Sequence, residues 1–127
     1  MTRIFRVTMV LSLILAACPL MAWATNVATF QGNCTSGTLN CTFDASRPSP
    51  GSQCNAGIAE YKWSLGGTLG SYFTTSPTFS YTYPSSGTYT VTLTVYCWDG
   101  ATPQTSHDVC FGFGVPGCIS PGGGWMP

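Results

Sequence analysis

The sequence predicts an all-β fold: a β-sandwich of about seven short strands, stapled by disulfides and preceded by an N-terminal targeting segment. Three observations point to it. Turn signals recur every eight to twelve residues, the spacing of short antiparallel strands. Several runs alternate apolar and polar residues with a period of two, as half-buried strands require. No stretch of helix-forming residues long enough for a helix follows the N-terminus.

Composition agrees with this. The chain has 127 residues, of which only 6% are charged while 44% are hydrophobic and 13% aromatic. A core can therefore form despite the scarcity of charge. The polar remainder is Thr, Ser, Gly and Asn, residues of strands and tight turns.

The N-terminus reads as an export signal covering residues 1–24. Arg3 and Arg6 precede the apolar stretch Val7 to Ala17, which is too short to span a bilayer. Pro19 breaks the helix, and Ala22-Trp23-Ala24 offers the small-x-small pattern of a cleavage site. A second reading of the same residues is a lipobox at Leu15-Ala16-Ala17-Cys18, with Cys18 as the lipidated residue; Pro19 directly after that cysteine disfavours it. Either way the chain is directed to an extracellular, periplasmic or envelope location. Beyond residue 24, Arg47 and Lys62 stand against Asp44, Glu60, Asp99 and Asp108, a net charge of −2. No basic stripe for nucleic acid and no polybasic run for anionic lipid is present. No membrane span is expected.

Setting Cys18 aside leaves Cys34, Cys41, Cys54, Cys97, Cys110 and Cys118. An even number in a short exported chain reads as a disulfide framework, with about 15 possible pairings. A zinc site is not expected, because there is no Cys-x-x-Cys and His107 has no cysteine at ligand spacing. No cofactor is implied.

In order along the chain, Asn26 to Gln31 is expected as a first strand, Cys34 to Cys41 as a turn closed by cysteines, and Thr42 to Ala45 as a second strand. Ser46 to Gly57, with two prolines and two glycines, is expected as a loop. Ile58 to Leu65 alternates: Ala59, Tyr61, Trp63 and Leu65 share one face, Glu60, Lys62 and Ser64 the other. Thr68 to Pro77 reads as a loop or short edge strand, and Phe79, Tyr81 and Tyr83, alternating with Ser80 and Thr82, as the next strand. Thr88 to Trp98 carries the clearest pattern. Tyr89, Val91, Leu93, Val95 and Cys97 alternate with threonines and then with Tyr96 and Trp98. His107, Val109, Phe111 and Phe113 mark a last strand. The sandwich is taken as residues 25–115, and residues 116–127, rich in Gly and Pro, as an irregular tail.

At this point the sequence resembles the PKD domain, an immunoglobulin-like module of exported and cell-surface proteins. The resemblance rests on Thr42-Phe-Asp-Ala-Ser46, Gly57-Ile-Ala-Glu-Tyr-Lys-Trp63, Tyr81-Thr-Tyr83 and Gly87-Thr-Tyr-Thr-Val-Thr-Leu-Thr-Val95. It spans about Val27 to Val115. The family usually follows its Trp with Asp-Phe-Gly-Asp-Gly, whereas here Trp63 precedes Ser64-Leu65-Gly66-Gly67-Thr68. Both carboxylates are gone, and the calcium contacts of some members are not carried over. Asp44 is expected to bond nearby backbone N–H groups, and Tyr89 to bond backbone as a corner tyrosine. What the resemblance implies is an adhesive, accessory or spacer module that contacts polysaccharide or protein.

Within such a sandwich, Cys34–Cys41 closes a short turn. Cys54–Cys97 joins the loop before the third strand to the end of the Thr88–Trp98 strand, and Cys110–Cys118 follows by elimination. No catalytic residues are assigned. Adjacent strand residues face opposite ways, so His107 cannot join Asp108 or Ser106 in a triad. Binding candidates lie on the outer face: Tyr96 and Trp98 at the end of their strand, with Lys62 and Glu60 on the neighbouring one. Large aromatics on a polar face suit stacking on sugar rings or apolar partner groups. The alternative is that the Thr68–Pro77 segment or the tail covers them. Tyr72, Phe73 and Trp125 are weaker candidates. Partners are thus expected to be an extracellular glycan or surface protein, and the competing expectation is assembly with copies of itself or an envelope partner.

Overall fold

The computed structural model describes residues 25–111 and the two-residue strand Cys118–Ile119. The targeting segment with Cys18, the remainder of the tail, Phe113, Trp125 and the side chain of Cys118 lie outside the described residues.

The described residues form two sheets. One has three strands in the order β1 (Gln31–Cys34), β2 (Asn40–Asp44), β5 (Thr78–Thr82). The other has five, in the order β4 (Ser71–Thr74), β3 (Ile58–Ser64), β6 (Thr88–Cys97), β7 (Gln104–Cys110), β8 (Cys118–Ile119). All pairings are antiparallel except β7 with β8. No helix occurs among the described residues.

The core is what the alternation in β3 and β6 dictates. Tyr61, Trp63 and Leu65 of the third strand and its end are buried, as are Val91, Leu93 and Val95 of β6. They meet Phe43 from the opposite sheet, with Phe30 and Tyr83, which flank its strands. Trp63 is the hub. Its ring centroid lies 5.4 Å from Phe30, 5.9 Å from Phe43 and 6.0 Å from Phe79, and its indole N–H donates to Thr74 Oγ1 at 3.2 Å. A buried indole needs such a partner, because an unpaired donor in the core is costly. Tyr83 departs from this rule: its hydroxyl is buried without a hydrogen-bond partner, and burial pushes its phenol well above the usual range.

The outer faces are laced by hydroxyls rather than charges. Thr90 Oγ1 donates to Asp108 Oδ1 at 2.8 Å, Thr92 and Ser106 share a bond of 2.7 Å, and Thr42 and Ser80 one of 2.9 Å. Cross-strand pairs of this kind stabilise sheets, and they let a chain with so few charges keep a polar surface. Thr94, expected on the exposed face, is buried; it sits between Lys62 and Gln104 at the centre of its sheet.

Tyr89 Oη donates to the Ser85 carbonyl at 2.8 Å, a corner tyrosine. Asp44 Oδ1 accepts from the Ser46 backbone N–H at 2.8 Å and from its hydroxyl, closing an Asx turn. Where the family carries its acidic turn, the β3–β4 connection closes through Leu65 N–H to Gly70 O and Leu69 N–H to Gly66 O, both 3.1 Å. Gly66 has φ +89°, and a Cβ there would lie 2.8 Å from the Thr90 carbonyl oxygen, so no other residue fits.

Four elements differ from the sequence reading. The first strand is Gln31–Cys34, not Asn26–Gln31; Val27 makes only an isolated bridge to Gln53. Cys34 and Cys41 are strand residues facing one another across β1 and β2, so the second strand begins at Asn40 and ends at Asp44. The last long strand runs from Gln104 to Cys110. The tail, expected to be irregular, contributes β8, with Asp108 opposite Cys118 and Val109 opposite Ile119. Two residues carry too little pattern to be read as a strand.

Cys34 is bonded to Cys41 (Cα–Cα 4.0 Å) and Cys54 to Cys97 (Cα–Cα 5.5 Å). Cys110 is also disulfide-bonded; the expected pair Cys110–Cys118 involves a side chain outside the described residues.

Candidate functional site

The outer face of β3, β4 and β6 gathers the candidate binding residues in one register. Glu60 lies opposite Tyr96, and Lys62 lies opposite Thr94 on one side and Phe73 on the other. Side chains directly opposite or diagonal across a sheet touch. Accordingly the Phe73 ring lies 6.1 Å from Tyr96, and Lys62 Nζ lies 5.8 Å from the Phe73 centroid. That distance and the open surroundings make this a weak cation–π contact.

Phe73 is the residue the sequence reading undervalued. Of the two readings of Thr68–Pro77, loop or short edge strand, the second holds: Ser71–Thr74 is a regular edge strand in register with β3. The usable signal is the aromatic and β-branched run Tyr72-Phe73-Thr74-Thr75 between Gly70 and Pro77. Tyr72 is opposite Trp63 in the register and turns the other way, its ring 5.4 Å from Phe79 and 5.7 Å from Tyr81. Tyr72 therefore helps close the edge between the sheets.

Trp98 lies just past the end of β6. Its backbone N–H donates to the Gly57 carbonyl at 3.0 Å, and its side chain is 71% exposed; Phe73 is 55% exposed. The segment from Thr68 to Pro77 thus reaches Tyr96, through Phe73, and leaves Trp98 open. Burying an aromatic side chain stabilises a fold by roughly 1.5–3 kcal/mol, so an indole left in water forgoes that contribution.

The residues considered for catalysis do not converge. Ser106 and Asp108 turn outward to Thr92 and Thr90, while the His107 ring packs edge-on against Phe30 at 4.8 Å. Burial lowers the His107 pKa, and the nearby Asp108 carboxylate opposes that shift more weakly. A lowered folded value means the neutral ring is the one accommodated. Its contribution is complete above the unfolded pKa of about 6.5 and is lost as pH falls through the lowered folded value. The melting temperature should therefore fall more steeply between pH 7.5 and 5 in wild type than in His107→Gln. Parallel pH profiles would show that His107 titrates alike in the folded and unfolded states. No cluster of three or more metal-ligating side chains occurs among the described residues. No helix there is long and apolar enough to cross a membrane, which says nothing of strands.

Two facing sheets, a buried tryptophan at their centre and a corner tyrosine define an immunoglobulin-like β-sandwich module. The chain belongs to the PKD domain family, whose model matches residues 26–107. Among solved structures it is similar to the PKD1 domain of the Vibrio cholerae metalloprotease PrtV, with a TM-score of 0.53 and 24% identity over 66% of this chain and 93% of that one. At that identity the likeness is one of fold. No curated protein matches the chain. PKD domains are generally non-catalytic modules of extracellular or secreted proteins and mediate protein or carbohydrate interactions. The disulfides suit an oxidising compartment.

Proposed function

We propose that this chain is a non-catalytic extracellular binding module. Its contact surface is the outer face carrying Phe73, Lys62, Glu60, Tyr96 and Trp98, and its partner is an extracellular glycan or a surface protein. The observation that carries the reading is Trp98, 71% exposed at the end of a face that also presents Phe73 and Tyr96. Export through residues 1–24, with lipid anchoring at Cys18 as the alternative, belongs to the same proposal.

The test is co-sedimentation of the exported domain with insoluble extracellular material from its native host. Wild type is expected to be retained, and Tyr96→Ala/Trp98→Ala to lose at least about tenfold in affinity, as buried aromatic anchors do. The variant should keep its melting temperature, because neither side chain belongs to the core. Equal retention of both proteins would sink the assignment of this face.

One observation favours assembly as a second reading. Strand β4 is a sheet edge without charge or proline, and its Tyr72 and Phe73 are exposed. Such an edge is a template for pairing with another chain. Concentration-dependent sedimentation of the soluble protein, abolished by Phe73→Lys, would support that reading over the first.

A further inference from the structure

At its Trp98 end the face is bounded by a cleft of about 520 Å³, within the size range of small-molecule sites. Thr25, Ser52, Gln53, Asn55, Gly57 and Ile58 line it. Gly57 belongs to both the cleft and the face. Its carbonyl accepts the Trp98 backbone N–H, and a Cβ at this position would come within 3.3 Å of Trp98 Cδ1. The indole therefore lies along bare backbone at the rim of the cleft, made possible by a glycine at φ +95°.

The arrangement is braced from below. The Asn26 side chain accepts from the Asn55 backbone N–H at 2.8 Å and donates to Asp99 Oδ2 at 3.3 Å. Asp99 Oδ1 in turn accepts from the Ala101 N–H at 3.0 Å. The Cys54–Cys97 disulfide joins the same two segments, one residue from Asn55 and one from Trp98. The backbones of the cleft wall and of Trp98 are thus held relative to one another before any ligand arrives, which lowers the ordering cost of binding.

The chemistry of the lining narrows the ligand. None of the side chains lining the cleft is charged. The side-chain amides of Gln53 and Asn55 bond to no other described residue. Lys62 is in register with Thr94, four residues from Trp98, or about 13 Å along the strand. A purely apolar side chain seated on Trp98 would leave both exposed amides unused. A sugar ring presents C–H groups to an indole and a rim of hydroxyls that amides can both donate to and accept from.

We propose that Trp98 and the cleft form a subsite for one neutral pyranose ring, stacked on the indole and hydrogen-bonded by Gln53 and Asn55. The proposal rests on the binding reading above and names its ligand class.

The experiment is NMR titration of the oxidised domain with neutral trisaccharides built from glucose, mannose, galactose or N-acetylglucosamine, and with trigalacturonate as the acidic counterpart. At least one neutral trisaccharide should shift the Trp98 indole signal, assigned through Trp98→Ala, and the backbone amides of residues 53–57, saturably. The Trp63 indole signal should stay in place. Trp98→Ala should abolish binding, and Gln53→Ala/Asn55→Ala should weaken it about tenfold without altering the spectrum of the core. Saturable binding of trigalacturonate alone, lost in Lys62→Ala, would overturn the neutral-sugar subsite while leaving the face intact. Silence toward every trisaccharide, with native material still retained through Trp98, would overturn it in favour of a protein partner. Silence combined with no retention would remove the binding reading as well.

Discussion

Replacing Trp63 by alanine should destabilise the domain by about 3–5 kcal/mol, the cost of deleting a large aromatic from a packed core. Trp63 has no exposed surface and touches three rings of the opposite layer: Phe30, Phe43 and Phe79. Neighbouring rings in such a core cannot collapse into the space of an indole without leaving their rotamers. Thr74 would also lose the donor that holds β4 to the strand beside it. Domains of this size are stable by roughly 5–15 kcal/mol, and each kcal/mol shifts the melting temperature by about 4–8 °C. The expected result is a loss of tens of degrees or outright unfolding, read by near-UV circular dichroism. Trp63→Phe should recover much of the loss. A drop of a few degrees for Trp63→Ala would mean that the sheets are held together elsewhere.

Removing the Cys54–Cys97 bond as a pair of alanines should cost about 4 kcal/mol, and removing Cys34–Cys41 about 2 kcal/mol. The difference follows from the loops closed. The first bond spans 43 residues and the second 7, so the first removes more freedom from the unfolded chain. The Cys34–Cys41 bond also joins residues that the β1–β2 hairpin already holds opposite one another. Urea unfolding of the two double variants compares them directly. Equal losses, or a larger loss at Cys34–Cys41, would show that native-state packing around the sulfurs outweighs chain entropy here.

Much of the fold could be read from residues because it is local. Alternation in Thr88–Cys97 and Ile58–Ser64 assigns inward and outward residues by period alone, and Val91, Leu93, Val95 and Trp63 are buried accordingly. The Tyr89 corner has its partner only four residues away. What escaped is non-local. β1 carries polar Gln31, Gly32 and Asn33, and only its pairing with β2 makes it a strand. β8 exists only through Asp108 and Val109 of a strand already in place. The face of Glu60, Lys62, Tyr96 and Trp98 was visible as outward positions, but the arrival of Phe73 depends on β4 docking in register. The cleft was invisible, since Asn26 meets Asn55 and Asp99 across 29 and 73 residues of chain.

The claim that this face makes the contact is tested most directly by hydroxyl-radical footprinting, read by mass spectrometry, of the domain free and bound to native extracellular material. Free protein should be modified at Trp98, Phe73 and Tyr96 and spared at Trp63. On binding, Trp98 and Tyr96 should become protected while the hydroxyl-laced face of the opposite sheet, around Thr42 and Ser80, stays reactive. Unchanged modification of Trp98 in the bound protein would contradict the account and move the contact to another surface.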